Sequence, residues 1–320
     1  MKAVILEGRA ANPGDISWDP VISLADTTIY DTTTEEQLVD RIAQTDAILV
    51  NKLAVTESVF EQFPQIRYVG ECATGYNNID LKAARSHHVT VTNVPAYGTA
   101  SVVQHTFALL LDLTNKVSLH NASVKAGDWT RSENFCYWKA PIVELDGKTM
   151  GIMGFGHIGQ GVAHIATAFG MRRLVYTAHP NKYRAYEDET LSFVSLDQLL
   201  RNSDVITLHC PLTDENRGLI CADTIARMRD GAFLLNLSRG PLVVEQDLAA
   251  ALTSGKIAAA GVDVIEKEPM RADNPLLTAP HIVITPHIAW ASIEARKRLV
   301  STAAANLAAW MDGKPQNVVS

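Results

Sequence analysis

The chain has 320 residues, 47% of them hydrophobic and 20% charged, with a formal net charge of −7 at pH 7. That length accommodates two domains with cores of their own, and the composition is that of a soluble globular protein. A negative balance with no basic cluster argues against a nucleic-acid partner or an anionic membrane surface.

The segment from Met1 to Glu7 reads as a strand, and its apolar run is too short for a signal peptide. No apolar run reaches transmembrane length. Cys72, Cys136, Cys210 and Cys221 lack zinc-type or C-x-x-C spacing and read as reduced thiols in a cytoplasmic protein. The first part then alternates strand and helix. Strands are expected at Ala3–Leu6, Ala47–Val50, Arg67–Gly70 and Val89–Thr92. Helices are expected at Glu35–Gln44, Glu57–Phe63 capped by Thr56, and Leu81–His87 capped by Asp80. Such alternation builds βαβ units around a parallel sheet. The turn Cys72-Ala73-Thr74-Gly75-Tyr76-Asn77 lies past a strand's carboxyl end, where open α/β sheets bind ligands, although it also reads as a simple turn.

A long helical pattern begins at Gly98, with Val102, Val103, Phe107, Leu110, Leu111 and Leu113 on its apolar face. An irregular stretch with Trp129, Phe135, Tyr137 and Trp138 follows and serves either as a core plug or as an interface. A second α/β run has strands at Leu174–Tyr176, Asp204–His209, Ala232–Asn236, Ala258–Val264 and Ile282–Ile284. Its helices are Leu196–Arg201 capped by Ser195, Ala222–Met228, and Glu245–Ser254 closed by Gly255. A last helix spans about Ser292 to Met311.

This second run opens on Thr149-Met150-Gly151-Ile152-Met153-Gly154-Phe155-Gly156-His157-Ile158-Gly159. An apolar strand runs into glycines at G-x-G-x-x-G spacing, and Val162, Ile165, Ala166 and Phe169 continue at helical spacing. Gly154 suits the tight turn, Gly156 a close backbone approach, and Gly159 helix–strand packing. The helix N-terminus offers free N–H groups to a pyrophosphate. These residues point to dinucleotide binding. The position that would carry an acid for the ribose hydroxyls is Thr177, followed by His179, Lys182 and Arg184. Either NAD(H) or NADP(H) is expected, with the balance toward NADP(H), because a neutral residue among cations accommodates a 2′-phosphate.

Three polar residues lie just past strand ends of the same run: Arg239, Glu268 and His287. Singly each has an ordinary reading. Arg239 can pair with Asp263, Glu268 lies in a charged run, and His287 can be a surface histidine. Together with the glycine turn they form a coherent reaction centre on one sheet edge.

The chain resembles the D-2-hydroxyacid dehydrogenases nearly end to end. The matching motifs include Gly75 with Asn77-Asn78-Ile79-Asp80, the glycine turn, His209-Cys210-Pro211-Leu212 and Asn236-Leu237-Ser238-Arg239-Gly240. They continue through Gly261-Val262-Asp263-Val264, Glu268-Pro269 and Pro286-His287-Ile288-Ala289-Trp290. Within that family, residues 135–138 and 287–290 look most like glycerate dehydrogenases, or hydroxypyruvate reductases. The resemblance implies an α/β fold of two Rossmann-like domains with parallel sheets. A flavodoxin-like substrate domain would comprise residues 1–98 and 289–320, and an NAD(P)-binding domain with the dimerisation segment would comprise 99–288. It implies a homodimer and a small 2-oxo or 2-hydroxy acid as substrate, hydroxypyruvate and D-glycerate first and glyoxylate as the alternative. By resemblance, Ala73, Thr74, Gly75, Arg239 and Trp290 would contact substrate. Gly154, Phe155, Gly156, His157, Ile158, Gly159, Thr177, His179, His209, Cys210, Pro211, Leu237, Ser238, Arg239, Asp263 and His287 would contact the dinucleotide. Arg239 would grip the carboxylate and polarise the ketone, and His287 would be the general acid and base. Glu268 would orient His287 and favour its charged form, and no metal is required. Two rivals share the fold: a dinucleotide-sensing corepressor that binds proteins, and a formate dehydrogenase, which has Gln in place of Glu268.

Overall fold

Strand β1 (Lys2–Ile5) sends Val4 into one apolar cluster and Ala3 and Ile5 into another. The same period of two divides Ile48 and Val50 from Ala47 and Leu49 on the all-apolar run Ala47–Val50. A strand buried on both faces belongs in the middle of a parallel sheet with helices on each side. The computed structural model describes residues 1–320 and resolves that arrangement into two compact units, Met1–Gly98 with Trp290–Ser320, and Thr99–Ala289.

In the first unit, β1 is joined by β2 (Asp26–Ile29), β3 (Ala47–Val50), β4 (Tyr68–Glu71) and β5 (Thr90–Thr92), in the order β2-β1-β3-β4-β5. All pairs are parallel. One face is covered by helices Glu35–Ile42, Glu57–Gln62 and Leu81–Ser86 through Leu38, Phe60 and Ala84. The other is covered by the helix Ile293–Met311, which contributes Ala295, Leu299, Val300, Ala303 and Leu307.

The second unit holds β6 (Thr149–Met153), β7 (Arg172–Tyr176), β8 (Leu191–Phe193), β9 (Val205–Leu208), β10 (Ala232–Asn236), β11 (Ile257–Val262) and β12 (Ile282–Ile284). Their order is β12-β11-β10-β9-β6-β7-β8, again wholly parallel. The order reverses between β9 and β6, the switch point at which open α/β sheets bind ligands. On one face, Met153, Ile206, Leu234 and Val262 pack with Leu200, Ile225, Leu248 and Leu252 from three helices. Helix Thr99–Asn115 lies on the other face. Phe107 stacks on Phe169 at 5.5 Å, and Leu109 and Leu113 lie over Gly261.

Several local expectations change. Thr56 stands at its N-cap, but its hydroxyl bonds Ser58 Oγ, whereas Asp80, Ser195 and Ser292 do accept an N–H from the first turn. Strands β2 and β8 were not anticipated. Both are sheet edges; Asp-Thr-Thr-Ile carries a single apolar residue, and Leu-Ser-Phe alternates over only three residues, too few to stand out. Helix Val117–Lys125, also unanticipated, is separated from Thr99–Asn115 by Lys116 in the left-handed region. No helix is long and apolar enough to cross a membrane.

Candidate active site

Because every strand of the second sheet runs the same way, the turns after β6, β9, β10, β11 and β12 all open on one edge. The turn after β6 is built by its glycines. Gly154 has φ +95, and an added Cβ would lie 2.6 Å from Cys210 N, so only glycine fits against the turn after β9. Gly159 is buried against the Gly154 carbonyl, which holds helix His157–Ala168 against the strand. Above Gly156, by contrast, nothing lies within 4 Å of where a Cβ would be. Gly156 is the N-cap, no side chain caps the helix, and its first turn has no acid. Open space over free N–H groups at a helix start is what a pyrophosphate needs. His157 is exposed there and Ile158 half-buried.

The Phe155 side chain turns away from that space. It is buried edge-on against Tyr183, Tyr186 and Phe193, so only its backbone can face a ligand. This packing fastens the segment Pro180–Tyr186 beside the glycine turn, and Tyr186 Oη reinforces it by donating to Gln160 Oε1 at 3.1 Å. That segment carries Lys182 and Arg184, and neither these cations nor His179 forms an ion pair with an acid. Thr177 lies half-buried directly after β7.

Past β9, burial holds His209 neutral, with its pKa pushed down to about 3. Nε2 lies 2.8 Å from Thr207 Oγ1, while Nδ1 is buried with no partner, a polar atom available to a ligand group. Ser238 Oγ donates to the Cys210 carbonyl, and Pro211 is exposed. After β10, Asn236 closes the next turn: Nδ2 donates to Arg239 O, and Oδ1 accepts Ser238 N–H. Leu237 is buried and anchors that turn. Arg239 Nη1 donates to Ser238 O at 2.9 Å, and the guanidinium pairs with no acid, Asp263 included. A methyl on Gly240 would overlap the Ile265 carbonyl, so this turn presses on the segment leading to Glu268.

Glu268 Oε2 lies 2.7 Å from His287 Nδ1. The carboxylate accepts at Nδ1, and His287 Nε2 has no partner within the protein. His287 has φ +55, and its N–H donates to Asp263 O and Thr285 O. The Glu268–His287 contact joins two residues that singly read as one charge of a solvated run and a surface histidine. The Asp263 side chain is 1% exposed and accepts from Thr285 Oγ1, Ile288 N and Ala289 N. His105, from helix Thr99–Asn115, adds its Nε2 at 3.1 Å from Thr285 Oγ1. Neither His105 nor Thr285 was singled out by motif. The readable signal was a histidine at i+3 from Val102 and i−4 from Leu109, on the apolar stripe.

In the first unit, Thr74 Oγ1 donates to Val94 O, and Asn93 Nδ2 donates to Thr74 O. The Ala73 carbonyl accepts Val94 N–H, while the N–H groups of Thr74 and Gly75 make no bond within the protein. Trp290 packs edge-on to Tyr97 at 6.0 Å, half-buried in the first unit's core.

Residues 107–289 match the family described as D-isomer specific 2-hydroxyacid dehydrogenase, NAD binding domain. The chain is also 48% identical over 323 residues to a hydroxypyruvate reductase of Blautia hydrogenotrophica, with both chains covered in full. The chain belongs to the D-isomer-specific 2-hydroxyacid dehydrogenases. This dehydrogenase is 36% identical to a glycerate dehydrogenase of Methylorubrum extorquens over 91% of its own length and 90% of the relative's. Among solved structures it resembles a D-lactate dehydrogenase from Aquifex aeolicus complexed with NAD and lactic acid. The TM-score is 0.82 and the identity 26%, over 98% of this chain and 96% of that one. As a D-2-hydroxyacid dehydrogenase it uses a nicotinamide dinucleotide to interconvert a 2-hydroxy acid and its 2-oxo acid.

Proposed function

We propose that the protein reduces hydroxypyruvate to D-glycerate, and catalyses the reverse, with NADPH preferred over NADH. The observation that carries the reading is the Glu268–His287 pair, with Nε2 free, on the edge that also bears Arg239 and the glycine turn. When bound, the dinucleotide supplies the hydride to C2 of the oxo acid or accepts it from the hydroxy acid.

The chain's own residues do the rest. Arg239, unpaired with any acid, presents a planar fork to the substrate carboxylate and polarises the adjacent ketone. The free N–H groups of Thr74 and Gly75 are assigned further bonds to that carboxylate. His287 protonated at Nε2 gives its proton to the ketone oxygen, and neutral His287 takes it back in the oxidation. Glu268 fixes the ring through Nδ1. Gly156 and the start of helix His157–Ala168 are assigned the pyrophosphate. Thr177 with His179, Lys182 and Arg184 is assigned the ribose and its 2′-phosphate, which these unneutralised cations favour.

The working form is proposed to be a homodimer. Helix Val117–Lys125 and the segment after it expose Val117, Trp129, Phe135 and Trp138, and Phe135 is 89% exposed. Apolar surface of that kind is used for association, and a second copy is the partner that closed symmetry favours. The test is oxidation of NADPH and NADH, in parallel, over hydroxypyruvate, glyoxylate, pyruvate and larger 2-oxo acids. Hydroxypyruvate with NADPH should give the highest kcat/KM. A better 2-oxo acid would overturn the substrate, higher kcat/KM with NADH would overturn the cofactor preference, and no oxidation at all would favour a dinucleotide-sensing binding protein.

A further inference from the structure

We propose that His105 and Thr285 form, with Asp263, a chain of positioning residues that fixes the segment presenting His287. The inference rests on the reading of His287 as proton donor and acceptor.

The hydrogen-bond directions follow from counting protons. Asp263 is buried and acceptor-only as a carboxylate. Thr285 has one hydroxyl proton, and the 2.6 Å contact to Asp263 Oδ1 takes it. Thr285 Oγ1 must then accept at its other contact, so His105 Nε2, 3.1 Å away, carries a proton and donates. The chain runs His105 to Thr285 to Asp263, each member oriented by the one before. Asp263 completes it by accepting the N–H groups of Ile288 at 2.9 Å and Ala289 at 2.8 Å. Its own carbonyl accepts His287 N–H at 2.8 Å. Residues 285–289 are thus wrapped around one carboxylate, with His287 held in the left-handed region that non-glycine residues seldom adopt. Glu268 holds the ring itself at Nδ1. A buried carboxylate that lost the Thr285 donor would draw the two amides elsewhere or admit water, and the ring would move with the backbone.

The outer link also ties this segment to the helix Thr99–Asn115. His105 reaches in from that helix, and Ser101 Oγ donates to Ala289 O at 2.6 Å four residues earlier on it. The segment that bears the proton donor is therefore pinned to a rigid element at both ends of its turn. A loop held only by its neighbours along the chain would leave the imidazole free to swing.

The experiment compares Thr285→Val, Thr285→Ser, His105→Leu and His105→Gln with the parent enzyme, alone and in a His287→Ala background. Thr285→Val and His105→Leu should lower kcat by ~10-fold or more with KM within ~3-fold, since misplacement by about 1 Å costs up to ~10²-fold. Serine and glutamine keep the hydroxyl and the N–H donor and should recover most of the loss. Amide exchange at Ile288 and Ala289 should rise by ~10-fold in the two disrupted variants, a readout independent of turnover. In the His287→Ala background Thr285→Val should cost nothing further, because residues acting through one group are non-additive. The proposal is overturned if Thr285→Val lowers the rate of the His287→Ala enzyme by the same factor as that of the parent. It is equally overturned if serine fails as badly as valine, or if exchange at 288 and 289 is unchanged. Should Thr285→Val not fold, the His105 pair carries the same comparison. If His287→Ala turns over like the parent, the reading of His287 itself fails, whatever the Thr285 variants do.

Discussion

Glu268 acts on His287 through a hydrogen bond to Nδ1, so its contribution is to hold the ring in place. In Glu268→Ala that hold is lost, and kcat for reduction should fall by ~10-fold or more with KM for the oxo acid within ~3-fold, as misplacement of a reacting group by about 1 Å costs up to ~10²-fold. An unchanged kcat would leave Glu268 no part in positioning the ring. At the other end of the site, a carboxylate in Thr177→Asp would accept ribose hydroxyls and repel a 2′-phosphate. The ratio of kcat/KM for NADH to that for NADPH should rise ~10-fold or more. A ratio that stays put would place Thr177 away from the ribose. At this scale the glycine turn was legible from its spacing, whereas Glu268 and His287, each with an ordinary reading alone, stood out only in combination and by resemblance to the family. The sequence was silent where function depends on a contact across elements. His105 and Thr285 are 180 positions apart, and no spacing rule joins them.

The strands and helices with strong periodicity were legible almost to the residue. Ala47–Val50, Ala232–Asn236, Ile282–Ile284 and Glu245–Ser254 form as expected, because an uninterrupted apolar run or a helix closed by a left-handed glycine has one stable use. The edge strands β2 and β8 were not legible, since β2 carries a single apolar residue and β8 is only three residues long. What the elements bury also sets a pH dependence. Glu71 ends β4 with Oε2 accepting from Asn78 and Oε1 buried without a partner. Burial pushes its pKa up to about 8, against the Asn78 hydrogen bond; Glu7 nearby adds to the rise and Lys52 opposes it. An unfolded glutamate ionises near ~4.3. Between those values the folded chain keeps a proton that the unfolded chain has released, so stability falls as pH climbs from about 4.3 toward 8 and levels above. Glu71→Gln removes this slope. Unfolding free energies from denaturant titrations between pH 5 and pH 9 should fall more steeply in the parent than in the variant, by on the order of a few kcal/mol in total. Parallel curves would show that Glu71 is ionised in the fold.

For the whole molecule, the aromatic segment after Val117–Lys125 is the feature that composition left open between core and interface. Phe135 and Trp138 are exposed, Trp138 at 70%, while Tyr137 is half-buried with its hydroxyl 2.9 Å from Ser123 Oγ. A core plug does not fit the exposed pair. Trp138→Ala should raise the dimer dissociation constant ~10-fold or more, as removal of an aromatic anchor does, with the protomer fold intact by circular dichroism. Light scattering across a dilution series checks it, and a parent protein that is monomeric at micromolar concentration would end the homodimer reading. The division of the chain carries a further consequence, for its synthesis. The first sheet's Ala3, Ile5, Leu49 and Tyr68 share their apolar cluster with Trp18 and Val21 and with the helix Ile293–Met311, so one face of the first unit is only partly covered until residues beyond 290 have been made. The intervening unit, Thr99–Ala289, has all its strands before that point. At ~5–20 residues per second the wait is on the order of tens of seconds, during which part of an apolar sheet face is open to chaperones and to neighbouring nascent chains. Ribosome-arrested chains that stop before Trp290 should be cut by protease within residues 1–98 and resist within 99–289; equal resistance in both would show that the first sheet closes without its last helix.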